Sequence, residues 1–296
     1  MRSEPTNATA GALATMLRGL KLSTMHAHAE TVAAQAVRES WSYERYLHTL
    51  CELELSERGQ RRIERNLRAS GLPPEKTLAT LERAKLPAAV ARMLPTLSEG
   101  GWVSRGENLL IFGLPGRGKT HVVCAVGHEL VQRGRRVLFT QTFALVQRLL
   151  IAKRDLRLQK ELRELDSFDV VILDDLGYVQ QSREEMEVLF TFLAERYERK
   201  SVAITSNLVF SEWGRIFKDE MTTAAAIDRV VHHATIVEMT NKSVRAEQAG
   251  EALRAASKMT TTTPTTTTPA TTTATTTTPT DPAPTSPATA AQVGEV

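Results

Sequence analysis

A short apolar run followed by a glycine-rich loop constrains the fold of this chain more than any other feature. Residues 109–112 are apolar, and the chain then reads Gly113-x-x-x-x-Gly118-Lys119-Thr120. Glycines at these positions let the backbone bend so that successive N–H groups point into one anion-sized nest. A helix that begins here adds the positive end of its dipole. In this strand-then-loop context the spacing is typical of a phosphate-binding P-loop; the alternative is an ordinary Gly-Pro turn between a buried strand and a helix.

The P-loop pattern predicts which atoms meet a nucleotide. Lys119 is expected to reach the β- and γ-phosphates of ATP, and the Thr120 hydroxyl is expected to ligate Mg²⁺. The side chain of Arg117 is expected to point away from the phosphates, because the nest uses backbone groups. The residues predicted to bind the nucleotide along the loop are Gly113, Leu114, Pro115, Gly116, Arg117, Gly118, Lys119 and Thr120.

Two carboxylates follow a second apolar run. Residues 170–173 are apolar and β-branched, which suits a strand buried on both faces of a parallel sheet, and Asp174 and Asp175 come directly after them. Ligands in open α/β sheets lie at the carboxyl ends of strands. We therefore expect Asp174 to hold Mg²⁺, directly or through water, and Asp175 to orient or activate the attacking water. A helix N-cap or a turn is the alternative interpretation of adjacent aspartates.

A third strand candidate ends in polar residues. The run Ser201–Thr205 is followed by Ser206 and Asn207. Asn207 is a candidate for holding the lytic water or sensing the γ-phosphate, and a polar turn into the next helix is the alternative.

Strands and helices alternate from residue 106 to about residue 249, which predicts an α/β fold: a P-loop NTPase with a parallel sheet and helices on both faces. Helices are predicted at His121–Arg133 and Glu184–Arg199. The predicted strands are Leu109–Phe112, Arg136–Thr140, Val170–Leu173, Ser201–Thr205 and Ala234–Met239.

The rest of the chain divides into two further regions. Residues 1–98 are predicted to be a helical N-terminal domain, and residues 99–250 the ATPase domain. Helices are expected over Ser42–Ser70, Thr77–Arg83 and Ala88–Leu97, with Ser42 as an N-cap. Residues 251–296 are rich in Thr, Pro and Ala, and such a composition cannot repay the entropy of ordering, so a disordered tail is predicted.

Composition excludes several classes of protein. The 296 residues carry a net charge of +3, which permits contact with nucleic acid without demanding it. Two cysteines provide neither a disulfide framework nor metal-ligand spacing. No signal peptide is recognisable, and no apolar run approaches the roughly 20 residues that span a bilayer, so a cytoplasmic protein with no membrane partner is expected.

Two stretches with helical spacing are basic. Each could contact a DNA backbone through arginine–phosphate pairs, or could be a solvated helix surface whose charges pair with interleaved glutamates such as Glu57 and Glu161. The first comprises Arg58, Arg61, Arg62, Arg65 and Arg68; the second comprises Lys153, Arg154, Arg157, Lys160 and Arg163.

The order of the motifs resembles that of the IstB-like ATP-binding proteins, helpers of insertion-sequence transposases that are related to the DnaC helicase loaders within the AAA+ class. The resemblance covers about residues 20–248. The motifs are Gly113–His121, Leu173–Gly177, Thr205–Asn207, Trp213, Ile227–Val230 and Ser243–Arg245.

The resemblance implies a function and two further site residues. Arg229 matches the arginine finger that reaches the γ-phosphate bound by a neighbouring subunit, and Arg245 matches the sensor arginine that touches nucleotide in its own subunit. The implied function is an ATP-dependent helper that forms a homo-oligomer on double-stranded DNA and regulates a transposase, with slow, DNA-stimulated ATP hydrolysis as the switch. A loader for a replicative helicase and a nucleotide-gated adaptor with negligible hydrolysis are the alternatives.

The chain departs from the family pattern at four positions. Asn241 stands where the family usually has Gly, and Val244 where it has Tyr. Arg117 occupies a P-loop position that is commonly small or β-branched. Asp175 replaces the Glu of many AAA+ proteins, and the shorter carboxylate predicts slow hydrolysis, which suits a switch better than a motor.

Overall fold

A five-stranded sheet forms the centre of the protein in the computed structural model, which describes residues 7–177, 182–208, 212 and 227–244. Its strands lie in the order β2-β3-β4-β1-β5, and each paired neighbour is parallel. The predicted parallel sheet is therefore confirmed. The strands are β1 (Asn108–Phe112), β2 (Val137–Gln141), β3 (Val170–Leu176), β4 (Ser201–Ser206) and β5 (Ala234–Glu238).

Side chains that alternate along each strand build two cores, one on each face of the sheet. Leu109 and Ile111 pack on the face covered by α6 (Lys119–Gln132), whereas Leu110 and Phe112 pack on the opposite face. That opposite face is covered by α7 (Thr142–Arg154), α8 (Leu158–Asp166) and α9 (Arg183–Arg196). On β3, Val170 and Ile172 share the α6 face. Continued alternation brings Asp174 to the same face, and therefore to the helix that follows the P-loop.

Five helices precede the sheet. They are α1 (Asn7–Gly19), α2 (Ser23–Arg38), α3 (Tyr43–Ser70), α4 (Ala88–Glu99) and α5 (Gly101–Ser104). The Ser42 hydroxyl accepts a hydrogen bond from the Arg45 backbone N–H over 3.2 Å, so the predicted N-cap of α3 is confirmed. Gly71 ends α3 in the left-handed conformation, at φ 66°. That conformation is the usual device for closing a helix C-terminus.

The helix predicted over Thr77–Arg83 is wrong. Residues 78–80 form a turn, and a short 3₁₀ turn at Arg83–Lys85 begins at the last residue of the segment. The Thr80 hydroxyl donates to the Glu75 carbonyl oxygen over 2.6 Å and accepts from the Thr77 N–H over 3.0 Å. Such local side-chain hydrogen bonds offer the backbone an alternative to a helix.

Several predictions fall outside the described residues or are not tested by them. The tail at 251–296, Trp213 and Arg245 lie outside. The boundary predicted between residues 98 and 99 falls at the end of α4 and stays a prediction. Within the described part of the chain, no helix combines the length and apolar character needed to span a lipid bilayer.

Candidate functional site

The glycine-rich loop lies at the carboxyl end of β1, between the ends of two neighbouring strands. The Gly113 N–H donates to the Ser206 carbonyl oxygen of β4 over 3.2 Å. A Cβ on Gly113 would lie 2.7 Å from the Met239 carbonyl oxygen, so no larger residue fits between β4 and the end of β5. Gly116 and Gly118 have φ values of 79° and 92°, which bend the loop into the start of α6.

Lys119 folds back over the loop that precedes it. Its ammonium group donates to the carbonyl oxygens of Gly113 over 2.7 Å and Leu114 over 3.2 Å. The side chain is largely buried although it carries a charge. The turned-back ammonium group and the first turn of α6 therefore concentrate positive charge at the mouth of the loop.

Asp174 is buried beside the P-loop helix and is held by two threonines. Its Oδ1 accepts from the Thr120 hydroxyl over 3.0 Å and from the Thr205 hydroxyl over 2.6 Å. Burial raises the pKa of the Asp174 carboxyl above its ordinary value, and the charge of Asp175 acts in the same direction, against the lowering by both hydrogen bonds. A bound cation would offset this cost of burying a carboxylate.

Asp175 sits in a bulge of β3 and is exposed. The register of β3 against β4 shifts between Leu173 and Leu176, and Asp175 adopts a left-handed conformation at φ 59°. Its backbone N–H donates to the Thr205 hydroxyl over 2.9 Å. The bulge turns this carboxylate into solvent while Asp174 points inward, so the two adjacent acids have separate environments.

Thr205 is a site residue that the sequence did not single out. Within the polar triplet at the end of β4, the sequence makes Asn207 a candidate for holding the lytic water or sensing the γ-phosphate, with a polar turn as the alternative. The structure places Asn207 just beyond β4 and half-buried, with no side-chain hydrogen bond to any described residue. Thr205 instead touches both aspartates. Only the β3–β4 pairing, which aligns Leu173 with Ile204, identifies it, and a single sequence does not show strand order.

These groups have the chemistry that a magnesium–nucleotide complex needs. Mg²⁺ prefers hard oxygen ligands such as the hydroxyl of Thr120 and the carboxylate of Asp174. The N–H groups of Gly116 and Gly118 donate to no acceptor among the described residues, so they are available to phosphate oxygens.

The extent of a family match along the chain shows which protein family the chain belongs to. The model of the IstB-like ATP binding protein family matches residues 15–252. The chain belongs to this family. It is therefore an ATP-binding protein with an AAA+ type P-loop fold.

Relatives and a solved structure agree with this assignment. An insertion sequence ATP-binding protein of Sinorhizobium fredii (strain NBRC 101917 / NGR234) is 45% identical over 243 residues, covering 82% of this chain and 82% of the relative. The IS21 ATP-binding protein of Pseudomonas aeruginosa is 34% identical over 252 residues, covering 85% of this chain and 94% of the relative. The structure of the replication initiator DnaA bound to AMPPCP and single-stranded DNA aligns with a TM-score of 0.50 at 19% identity, over 63% of this chain and 56% of that one. This last likeness concerns the fold alone.

Arg117 and Asn241 of this IstB-like chain contact each other. The Arg117 guanidinium donates to the Met239 carbonyl oxygen over 2.9 Å, and the Asn241 amide donates to the Arg117 carbonyl oxygen over 3.1 Å. The Val244 N–H donates to the Gly116 carbonyl oxygen over 3.0 Å. The segment 239–244 thus lies along the P-loop and is bonded to it three times; we call it the P-loop strap. Arg117 points toward the strap.

Arg229 lies far from the P-loop of its own chain. It belongs to a short helical turn, and its guanidinium carbon is 5.1 Å from the centroid of the Phe190 ring on α9. The carbonyl oxygen of the next residue, Val230, accepts from the Asn108 side chain over 3.0 Å. Asn108 begins β1, whereas the P-loop follows the other end of that strand, about 13 Å away at roughly 3.3 Å per residue.

The P-loop helix also contacts the segment that joins it to the N-terminal helices. His121 Nε2 lies 3.1 Å from the Thr77 carbonyl oxygen and 3.2 Å from the Thr80 hydroxyl. On the same helix, His128 Nε2 lies 3.0 Å from the Pro73 carbonyl oxygen. The turns that replace the expected helix at 77–83 therefore rest on α6. His121, adjacent to Thr120, is a second contact residue for which we assigned no role from the sequence.

Proposed function

We propose that this protein is an ATPase that assembles on double-stranded DNA and uses slow ATP hydrolysis to regulate a transposase. The observation that carries the proposal is the constellation around Asp174. A P-loop threonine and a β4 threonine share its carboxylate, next to a loop covered by Lys119. That constellation suits a magnesium–nucleotide complex. The proposed arginine finger lies near the amino-terminal ends of the strands, away from the P-loop.

The proposed roles follow from position. The loop N–H groups and Lys119 bind the phosphates, and Thr120 and Asp174 hold Mg²⁺. When bound, the cation neutralises charge that develops on the phosphoryl oxygens. Asp175 is exposed and faces solvent, where it orients the attacking water, with Asn207 as a further candidate contact for that water.

A second subunit is proposed to complete the site. Because Arg229 lies near the amino-terminal edge of the sheet, it suits the phosphates of a neighbour better than those of its own chain. Arg245 is proposed to contact nucleotide within its own subunit. Exposed apolar side chains on α1 support self-association, since such residues on one helix face commonly mark a protein contact. They are Leu13 and Met16, which are 49% and 65% exposed, and Leu20, directly after the helix, is 68% exposed.

Double-stranded DNA is proposed to bind the basic face of α3. This face borders a groove of about 940 Å³ next to the turn between α1 and α2. Arg62 and Arg65 form no ion pair with a described carboxylate, so their guanidinium groups are available to phosphates. The groove is lined by Lys21, Arg58, Arg61, Arg62, Arg65 and Arg68, with Glu64 as its one acidic lining residue.

The second basic stretch is the alternative candidate for DNA contact, and three of its charges are paired, as are Arg58, Arg61 and Arg68 on α3. Lys153 pairs with Glu187 over 2.9 Å, and Asp155 pairs with both Arg154 and Arg157 over 3.2 Å and 2.6 Å. Charges that are already paired gain less from a phosphate. Lys160 and Arg163 on α8 have no ion pair among the described residues.

The experiment is ATP turnover of the purified protein with and without long double-stranded DNA, together with its mass in solution under both conditions. The proposal predicts slow basal turnover, stimulation by DNA and a larger assembly on DNA with ATP. Lys119→Ala is the control and should lose nucleotide binding. ATP binding without stimulation or assembly contradicts the DNA-bound switch and favours a helicase loader or a non-hydrolysing adaptor.

The proposal of a transposase partner rests on the names of the relatives, which are ATP-binding proteins of insertion sequences. The matching test is capture of an insertion-sequence transposase by this protein, with ATP and with ADP. Nucleotide-dependent capture of the transposase is expected. Capture of a replicative helicase in its place would overturn the transposition role and leave the ATPase role standing.

A further inference from the structure

Three potential metal ligands cluster near the amino-terminal ends of the strands, opposite the P-loop. Glu198 follows α9, and His232 and His233 lie just before β5. Each side chain can offer one ligand atom so that all three atoms lie within 4.8 Å of one another, and all three side chains are exposed. No other group of three His, Cys, Asp or Glu side chains in the described ranges meets this condition.

The side chains of the cluster already contact one another and a neighbouring tyrosine. The two imidazole rings lie edge to face with centroids 4.2 Å apart. His233 Nε2 is 3.7 Å from a Glu198 carboxylate oxygen. The Tyr197 hydroxyl lies 3.2 Å from His232 Nδ1. A metal-bound imidazole uses one nitrogen for the metal and hydrogen-bonds through the other, so this contact leaves Nε2 of His232 for a metal.

The backbone beneath the cluster is fixed to the start of β1. The Asn108 N–H donates to the His233 carbonyl oxygen over 2.8 Å, and the Asn108 side chain holds the Val230 carbonyl oxygen. The carbonyl oxygen of Glu198 lies so close to Gly106 that a Cβ there would be 3.2 Å from it. The histidine segment is therefore hydrogen-bonded to the start of β1, and the Glu198 backbone packs against Gly106 just before it, which limits the movement needed to surround an ion.

We propose that Glu198, His232 and His233 form a binding site for one divalent transition-metal ion of the zinc class. Two imidazole nitrogens and one carboxylate oxygen are a ligand set that zinc uses in proteins, with water in the remaining position. This set differs in chemistry from the hydroxyl and carboxylate oxygens near the P-loop, which suit Mg²⁺. The two sites lie at opposite ends of the parallel strands, so each can be tested without the other.

A bound ion would reinforce the existing contacts between two elements of the fold. Glu198 belongs to the segment after α9, whereas the histidines directly follow the helical turn that carries Arg229. Coordination would fasten this turn to the end of α9, with the Arg229 guanidinium over the Phe190 ring. The metal site itself does not depend on the proposed function. Its effect on the position of Arg229 in an assembly does rest on that function.

The test is a titration of tag-free, nucleotide-free full-length protein with Co²⁺. The visible absorption of the bound Co²⁺ is recorded, and Zn²⁺ is then added to displace it. One ion per chain is expected, with the intense bands of a four- or five-coordinate nitrogen-containing site. Removing one ligand should weaken Co²⁺ affinity at least about tenfold. The variants are His232→Ala, His233→Ala and Glu198→Gln. Tyr197→Phe should weaken binding less, because it removes only the contact that orients His232.

His48→Ala is the matched control. His48 also pairs with a carboxylate, Glu52, over 3.4 Å, but it lacks the third ligand. This variant should bind Co²⁺ as the unchanged protein does. Absence of zinc-displaceable bands, or equal binding by the three ligand variants, would overturn the proposal.

Thermal unfolding separates loss of the site from loss of the fold. Without metal, the variants should unfold at the temperature of the unchanged protein, because the ligands are exposed. Zinc should raise the unfolding temperature of the unchanged protein and of His48→Ala, since an ion that binds only the folded state stabilises it. An equal rise in the ligand variants would contradict the assignment of these three residues.

Discussion

The hydroxyl of Thr205 joins the two adjacent aspartates of β3: it donates to Asp174 Oδ1 over 2.6 Å and accepts from the Asp175 N–H over 2.9 Å. One side chain on β4 therefore fixes the inward carboxylate and the bulge that turns the next carboxylate outward. Thr205 is fully buried, so the arrangement is part of the sheet rather than of a loop.

Replacing Thr205 by Val keeps the shape of the side chain and removes both hydrogen bonds. We predict that ATP turnover falls roughly tenfold or more, as is common when a residue that orients a metal ligand is lost. ATP affinity should change less, because the loop N–H groups and Lys119 are untouched. Turnover and nucleotide titration, measured on the same preparation, check both parts.

Thr205→Ser is the control for this prediction, because it retains the hydroxyl and should keep most of the turnover. The Val variant should also lose about 1–3 kcal/mol of unfolding free energy, since it removes a donor from the buried Asp174 carboxylate and the acceptor of the part-buried Asp175 N–H. Unchanged turnover in Thr205→Val would show that Thr205 does not position the aspartates.

The P-loop strap should tune ATP affinity. Arg117→Ala and Asn241→Ala each remove one hydrogen bond between the strap and the loop. A hydrogen bond contributes about 0.5–1.5 kcal/mol, so ATP binding should weaken by roughly two- to tenfold in each variant. The double variant should be less than additive, because both residues hold the same contact.

Titration of a fluorescent ATP analogue measures the effect of the strap, with the exposed Arg154→Ala on α7 as the control. Full additivity of Arg117→Ala and Asn241→Ala, or wild-type affinity in both, would count against the strap as a single element that positions the loop.

Arg62 and Arg65 should carry part of the DNA affinity. Changing both to Gln removes two potential phosphate contacts from the α3 groove without reversing its charge. In a plot of the logarithm of the DNA-binding constant against the logarithm of salt concentration, the slope should become shallower by about two, because each phosphate contact contributes roughly 0.9. Arg154→Gln with Arg157→Gln, on the second basic stretch, should change it little, because both arginines pair with Asp155. If the second pair has the larger effect, the DNA lies along α7 and α8.

The two cysteines should differ sharply in reactivity. Burial raises the pKa of the Cys124 thiol to about 12, whereas Cys51 is partly exposed. The thiolate is the reactive form, so near pH 8 Cys124 has a thiolate fraction of about one in ten thousand. Mass spectrometry after brief alkylation should find one modified cysteine in the native protein and two after unfolding. Rapid native labelling of Cys124 would show that the core opens around α6.

The places of most candidate site residues in the fold could be predicted from the sequence, because these residues are local. Gly113 to Thr120 lie within one strand–loop–helix unit, and the position of the two aspartates at a strand end follows from the buried run before them. Contacts that depend on strand order, or on distant parts of the chain folding back onto each other, could not be predicted from the sequence. Thr205 was passed over for Asn207 because the pairing of β3 with β4 has no signature in a single sequence. The Arg117–Asn241 contact spans more than a hundred residues.

The error at Thr77–Arg83 has a different cause. A short helix is the prediction there, but the hydroxyl groups of Thr77 and Thr80 compete for the backbone, and His121 stabilises the resulting turns from another part of the chain. In such cases tertiary contacts override the local helix propensity.

The most direct test of the proposed assembly is a mixing experiment with two inactive variants on long double-stranded DNA. Asp175→Asn should bind ATP without hydrolysing it, and Arg229→Ala should bind ATP yet lack the finger. In a mixed assembly, an Arg229→Ala subunit can receive Arg229 from an Asp175→Asn neighbour. Equal mixing should therefore restore about a quarter of the normal DNA-stimulated turnover, as expected for random neighbours in a head-to-tail assembly. Turnover that stays at the level of the separate variants would contradict a site completed by a second subunit.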